Sequence, residues 1–170
     1  MQSRDAVYLT KEEVNKLAGS ISNNRDRILF ETLYETGCTL KELTLIQKKD
    51  FDFKHSTLTI PAKNTKNNKS RKNNLSDRIV KKIFLHLKKN RPKNFIFESR
   101  QSGRITERRV QQLIANYSIK SLSIRISPHD LRTTRIIHSF LDQTPIDNIE
   151  KSVGINNIQP YLYTYFKKQK

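Results

Sequence analysis

The sequence predicts an α+β fold that is mainly α-helical and carries a small three-stranded antiparallel sheet. Apolar residues recur at helical spacing over most of the chain. Thr10 with Glu13 has the spacing of a capping box, which marks the start of a helix. The same spacing recurs at Thr39 and Glu42. After the second box the apolar period changes to two, which is typical of strands.

Caps and apolar faces set the predicted helices. Gly37 ends the second helix, because glycine adopts the left-handed conformation that closes a helix at low cost. Ser76 caps the fourth helix, and Pro128 begins a later one because proline fits the first helical turn. The helical segments are roughly 11–21, 25–36, 40–46, 77–89, 106–116, 128–141, 144–154 and 157–170.

The strands are predicted between the third and fourth helices. Phe51 to Phe53 and Thr57 to Ile60 alternate apolar and polar residues. Lys63 to Asn74 is polar and basic, so we expect the tip of a hairpin there, leading into a third strand near Leu75.

The charge of the chain indicates a polyanionic partner. Lys and Arg number 33 against 16 Asp and Glu, for a formal net charge of +17, and the basic residues are spread from Lys11 to Lys170. No apolar stretch approaches the roughly 18 residues that a membrane-spanning helix needs. No amino-terminal signal with an apolar core is present either, so we expect a cytoplasmic protein that associates with nucleic acid and not with membranes.

At this length the chain is expected to form a single domain over residues 1–170. The lone cysteine, Cys38, excludes an internal disulfide and a cysteine-based metal cluster. His55, His86 and His138 lack partners at metal-ligand spacing, so no metal site is expected.

His129 and Arg132, followed by a cluster of tyrosines, are the most informative residues. In a helix that begins at Pro128 they occupy positions i and i+3, and therefore one face. Guanidinium and imidazole donors stabilise charge that develops on phosphate oxygens. A tyrosine phenolate that attacks phosphorus stores the bond energy as a phosphotyrosyl ester. This chemistry needs no metal or other cofactor. The candidate phenols are Tyr161, Tyr163 and Tyr165.

These motifs, in this order, resemble the catalytic domain of the tyrosine recombinases, the phage integrase family. Thr36 to Leu43 resembles the family's Thr-Gly-Leu-Arg-Ile-Ser-Glu-Leu box, and Leu58 to Lys63 with the basic hairpin resembles its lysine turn. His129 to Arg132 is similar to its His-x-x-Arg, and Val153 to Ile155 lies at its Leu-Gly-His position. The resemblance covers nearly the whole chain.

The resemblance implies a role for each matched residue. Tyr163 is favoured as the nucleophile because Tyr-Leu-Tyr163-Thr resembles the family's Gln-Ile-Tyr-Thr, with Tyr161 as the alternative. Arg132 and His129 would act on the phosphate, and Lys63 would protonate the departing 5′ oxygen. Contacts with DNA are expected from Lys66, Lys69, Arg71, Lys72 and Arg135.

Two positions depart from the family pattern. Thr39 stands at the position of the first catalytic arginine, and Ile155 at that of the histidine. Losing one preorganised donor typically costs about 3–4 kcal/mol of transition-state stabilisation, so slow cleavage is expected unless other groups substitute. Lys41 and Arg135 are the nearest candidates to do so, and Glu42 remains to support the turn.

Family members usually carry an amino-terminal helical domain that closes around DNA. Leu9 already begins the catalytic domain here, so that domain is expected to be absent. The leading function is site-specific recombination or integration of a mobile element or replicon on double-stranded DNA, with self-association on DNA. The alternatives are a catalytically weakened relative that occupies sites or modulates an active recombinase, and a basic RNA-binding structural protein.

Overall fold

The computed structural model describes residues 7–99 and 103–169. Within them eight α-helices surround one small sheet, which confirms the predicted fold class. The helices are α1 (Lys11–Ser20), α2 (Asn24–Thr36), α3 (Leu40–Leu45), α4 (Asp77–Asn90), α5 (Glu107–Leu122), α6 (Pro128–Leu141), α7 (Ile146–Val153) and α8 (Gln159–Lys168). The strands are β1 (Phe51–Asp52), β2 (Thr57–Ile60) and β3 (Arg71–Asn74). None of the described helices has the length and apolar character needed to cross a membrane.

Local signals placed most helix ends correctly. Both predicted capping boxes form, at Thr10 and at Thr39. Gly37 closes α2 in the left-handed conformation, with φ of 57°. The predicted end of α5 near Asn116 is wrong, because no helix-breaking residue follows there and the helix continues until Ser123 takes up the left-handed conformation.

The sheet is antiparallel, in the order β1–β2–β3. Ile60 pairs with Arg71 and Leu58 with Asn73, so the third strand begins at Arg71 and not near Leu75 as predicted. All four residues of β3 are polar, so the strand has no apolar alternation that could reveal it in the sequence. Its position follows instead from pairing with β2.

Two groups of buried apolar side chains form the core. The larger group takes its side chains from helices α1 through α5, from the sheet and from the start of α6. It includes Leu17, Leu33, Leu58 and Ile114. The smaller joins α6 to α7 and α8, and consists of Ile136, Ile149, Val153, Ile158 and Leu162. The small group holds α7 and α8 against α6, which brings Ile155 and Tyr161 near His129.

Candidate active site

The start of α6 places His129 and Arg132. Ser127 Oγ accepts a hydrogen bond from the Asp130 N–H (3.2 Å), and Asp130 Oδ2 accepts one from the Ser127 N–H (2.8 Å). Pro128 occupies the first helical turn. This reciprocal cap fixes where the helix begins, and therefore the directions of the two predicted site residues.

The guanidinium of Arg132 is held by two backbone carbonyls. The residue is 7% exposed. Nη1 donates to the Gly37 carbonyl oxygen, and Nη2 donates to the Val153 carbonyl oxygen at 2.9 Å. Both carbonyls lie at the C-terminal ends of helices, where the helix dipole favours a cation. Within the described residues no carboxylate pairs with Arg132, so its charge remains available to an anion.

Two glycines allow these helix ends to approach the site. Gly37 and Gly154 have φ of 57° and 72°. A Cβ at Gly37 would lie 2.8 Å from Val153 Cγ1, and one at Gly154 would lie 2.9 Å from Arg71 Nη1. Any larger residue at either position would be strained in its backbone and would also displace a neighbour.

Thr39 and Glu42 form the cap of α3. Thr39 Oγ1 accepts from the Glu42 N–H (3.3 Å), and Glu42 Oε2 accepts from the Thr39 N–H (2.7 Å). Thr39 is exposed, whereas Glu42 is buried. The first turn of α3 therefore brings a buried carboxylate to the site.

Arg71 reaches this carboxylate from β3. Nη1 donates to Glu42 Oε1 (2.9 Å) and Nη2 to Glu42 Oε2 (2.7 Å), and the two side chains are only 7% and 5% exposed. Nε donates to the Ser152 carbonyl oxygen at 3.0 Å. This corrects the placement of Arg71 on an open hairpin. Residues alternate sides along a strand, so Arg71 and Asn73 turn inward while Lys72 is exposed.

The two guanidiniums influence the ionisation of their neighbours. Burial alone would raise the pKa of the Glu42 carboxyl, but the hydrogen bonds and charge of Arg71 outweigh it and hold that pKa below its usual range. Burial raises the pKa of the Cys38 thiol to about 11, although the charges of Arg71 and Arg132 act in the opposite direction. Both guanidiniums thus act on the turn that links α2 to α3.

His129 faces α8, the helix that carries the three candidate tyrosines. It is exposed, and its ring centroid lies 6.1 Å from that of Tyr161. The two side chains line a cavity of about 420 Å³ together with Thr133, Ile155 and Thr164. The structure therefore brings together His129, the Ile155 position and one tyrosine.

That tyrosine is Tyr161 and not the favoured Tyr163. Successive residues of a helix are about 100° apart, so residues 161 and 165 share a side of α8 while residue 163 lies on the opposite side. Tyr165 packs against Tyr8, with ring centroids 5.8 Å apart. Tyr163 is 68% exposed.

The remaining predicted cations are distributed around this centre. Lys63 is exposed on a 3-10 turn that packs against α3, and lines a separate cavity with Gln47, Asp50 and Phe95. It does not contact His129 or Arg132. Lys66, Lys69 and Lys72 are exposed on or beside the hairpin, as predicted.

The two predicted substitutes for the first arginine, Arg135 and Lys41, lie on α6 and α3. The stem of Arg135 packs beside Gly37, and Arg135 lines an open cavity of about 870 Å³ with Arg71, Lys69 and Lys151. Lys41 is exposed on α3. Arg71, which the sequence analysis considered only as a DNA contact, is bound to Glu42 of the Thr39–Glu42 cap. The contact of Arg71 with Glu42 can be recognised only when the β2–β3 register is known.

Comparison with known proteins identifies the family. The sequence profile described as the phage integrase family matches residues 7–170, and the chain belongs to this family. The tyrosine recombinase XerA of Thermococcus onnurineus is 28% identical over 170 residues, covering 92% of this chain and 57% of the relative. XerC of Staphylococcus aureus is 26% identical over 172 residues, covering 99% of this chain and 56% of the relative. The chain thus spans a little over half the length of these relatives.

Solved structures share the fold. The crystal structure of XerA recombinase superposes with a TM-score of 0.84 at 20% identity, over 98% of this chain and 66% of that one. The XerH site-specific recombinase, bound to palindromic difH substrate in a post-cleavage complex, gives a TM-score of 0.80 at 19% identity, over 99% and 53%. The arrangement of the described helices and strands is therefore that of a tyrosine recombinase catalytic domain.

Proposed function

We propose that this domain cleaves and rejoins strands of double-stranded DNA through a phosphotyrosyl intermediate, in site-specific recombination or integration of a mobile element or replicon. The observation that carries the proposal is the Arg132 guanidinium, which is nearly buried, held by two carbonyls and not neutralised by a described carboxylate. Fixed donors of this kind stabilise a phosphate transition state without reorganisation.

In the proposed reaction a tyrosine hydroxyl gives up its proton to solvent, and its oxygen attacks the scissile phosphorus. The new phenol–phosphorus bond forms as the bond to the 5′ oxygen breaks, and the leaving oxygen takes a proton from Lys63. Arg132 and His129 donate hydrogen bonds to the non-bridging oxygens. Attack by a 5′ hydroxyl on the phosphotyrosine reverses these steps and releases the phenol, so no external energy source is needed.

Tyr163 is the proposed nucleophile. Its exposed phenol is free to meet an incoming duplex, and the residues around it match the family pattern. Tyr161 packs on His129 and is better placed to orient that imidazole. Lys63 is also exposed, on a turn that adjoins the basic hairpin, so closure of this segment on DNA would bring the proton donor to the site.

A second candidate, occupancy of DNA sites without cleavage, is favoured by the chemistry at two positions. Thr39 supplies no cation, and Ile155 places an aliphatic side chain beside His129. Both candidates require DNA binding, and only the first requires a covalent adduct.

The test is covalent capture on nicked duplexes. The substrate is a pool of duplexes with randomised arms, and each duplex carries a nick placed so that the DNA fragment released by cleavage diffuses away. The protein is incubated with this pool, and the products are resolved by denaturing electrophoresis. We expect an adduct with the wild type and with Tyr161→Phe, and none with Tyr163→Phe. An adduct that persists in Tyr163→Phe would move the nucleophile to another phenol. Binding without any adduct would favour site occupancy.

A further inference from the structure

We propose that Arg71 takes the place of the guanidinium that Thr39 cannot supply, and acts beside Arg132 as the second arginine donor to the scissile phosphate. The inference rests on the proposed function and deepens it.

The position of Arg71 supports the replacement. Glu42 Oε2 accepts hydrogen bonds from the Thr39 N–H and from Arg71 Nη2, each at 2.7 Å. The guanidinium therefore lies one shared acceptor atom away from the backbone of the position where the family carries its arginine. A side chain that starts on β3 thus ends at the cap of α3.

Arg71 and Arg132 hold the same helix end. Arg71 Nε donates to the carbonyl of Ser152, and Arg132 Nη2 donates to that of Val153, the next residue. Arg71 Nη1 also lies against Gly154, which has no side chain to separate them. The two guanidiniums therefore flank one turn, which leads directly to Ile155 and the cavity beside His129.

The bonds of Arg71 fix it and still leave donors free. A guanidinium has five N–H groups. Three are bound to described acceptors, namely both oxygens of Glu42 and the Ser152 carbonyl, so one N–H on each Nη remains. Asn73, on the same side of β3, donates to the Ser152 and Thr36 carbonyls at 2.8 and 3.3 Å and anchors the strand. Because Glu42 balances its charge, Arg71 contributes directed hydrogen bonds more than net charge.

Reciprocal rescue tests this assignment. The variants are Arg71→Lys, which leaves a cation for Glu42 and so protects folding, Thr39→Arg, and the two combined. The measured quantities are the rate of adduct formation at saturating DNA and the dissociation constant of the DNA complex. Arg108→Lys makes the same change at an exposed position on α5 and is the control.

We expect Arg71→Lys to slow adduct formation by roughly 100-fold, the usual effect of removing one preorganised donor, with a much smaller change in DNA affinity. Thr39→Arg should recover at least about tenfold of that loss in the combined variant, because it restores a guanidinium at the position that carries one in the family. Arg108→Lys should match the wild type. A wild-type rate for Arg71→Lys, or no recovery in the combined variant, would overturn the inference.

A second measurement does not depend on cleavage. Side-chain NMR signals of ¹⁵N-labelled arginine are followed while a short duplex is added, and are assigned from Arg71→Lys and Arg132→Lys spectra. Shifts of both Arg71 and Arg132 support the inference, and a shift of Arg132 alone contradicts it. If the wild type forms no adduct on any substrate, the proposed function fails, and the NMR result still decides whether Arg71 binds phosphate.

Discussion

At the scale of single residues, Arg132 offers the most direct test of the phosphate site. Replacing Arg132 with alanine should slow adduct formation by roughly 100-fold or more, because a fixed donor to the transition state is lost. DNA affinity should fall far less, since many other cations bind the duplex. Single-turnover rates and dissociation constants measured on one nicked substrate separate the two effects. An equal loss in both would make Arg132 an ordinary phosphate contact.

Gly154 provides a second residue-scale prediction, on stability. Gly154→Ala should destabilise the fold by more than the roughly 1–2 kcal/mol that a left-handed alanine costs, because the new Cβ would lie 2.9 Å from Arg71 Nη1. Arg71 is pinned by Glu42 and cannot move without breaking its bonds. The free energy of unfolding in urea measures this change.

Gly103→Ala is the matched control for Gly154. Gly103 has a similar φ of 69°, and nothing lies within 4 Å of its added Cβ. Gly103→Ala should therefore lose only the free energy of unfolding that the left-handed backbone of an alanine costs. If both alanine variants lost the same free energy, Arg71 would be free to move aside, and its fixed position would be in doubt.

At the scale of helices and strands, local signals were predictable and contacts between elements were not. Capping boxes at Thr10 and Thr39 depend on residues three apart, so they could be found in the sequence. The Arg71–Glu42 pair depends on the register of an all-polar strand, which no local pattern reveals. Helical phase showed that Tyr161 and Tyr163 face opposite ways, but which one meets His129 depends on how α8 packs on α6.

The contact between α2 and α6 leads to a prediction on pH. His138 of α6 is buried, and its Nδ1 lies 2.8 Å from the Tyr34 hydroxyl of α2. Burial lowers the pKa of His138, and also that of His86 on α4. In the unfolded chain a histidine has a pKa of about 6.5, so below that pH the unfolded state binds more protons than the folded state. Stability should therefore fall as pH drops through about 6.5.

Urea unfolding between about pH 7.5 and 5.5 checks this expectation. His138→Gln should flatten the pH dependence, because the group that resists protonation is removed. Burial also lowers the pKa of His86, so His86→Gln should flatten the remaining part of the pH dependence. A pH dependence that His138→Gln left unchanged would place its origin elsewhere.

At the scale of the whole molecule, the net charge of +17 can bind a duplex only where the basic side chains lie on a surface that the duplex contacts. The hairpin lysines Lys66, Lys69 and Lys72 are exposed, in a segment whose inner residues Arg71 and Asn73 are tied to α3 and α7. The same short strand thus joins an outward basic surface to the proposed phosphate site. We expect contacts along the duplex and the positioning of the scissile phosphate to be coupled through it.

This coupling can be measured through salt. Binding to duplex DNA should weaken steeply between roughly 50 and 200 mM salt, because each neutralised phosphate releases counterions and contributes about 0.9 to the slope of log affinity against log salt. Replacing all three hairpin lysines with alanine should reduce the magnitude of that slope by roughly 2.7. The exposed lysines of α4, Lys81, Lys88 and Lys89, carry the same charge on another face. Their triple alanine variant should change the slope much less. Equal changes of the slope in the two triple variants would mean that net charge alone, and not the hairpin, binds the duplex. A flat salt response of the wild type would contradict phosphate binding altogether.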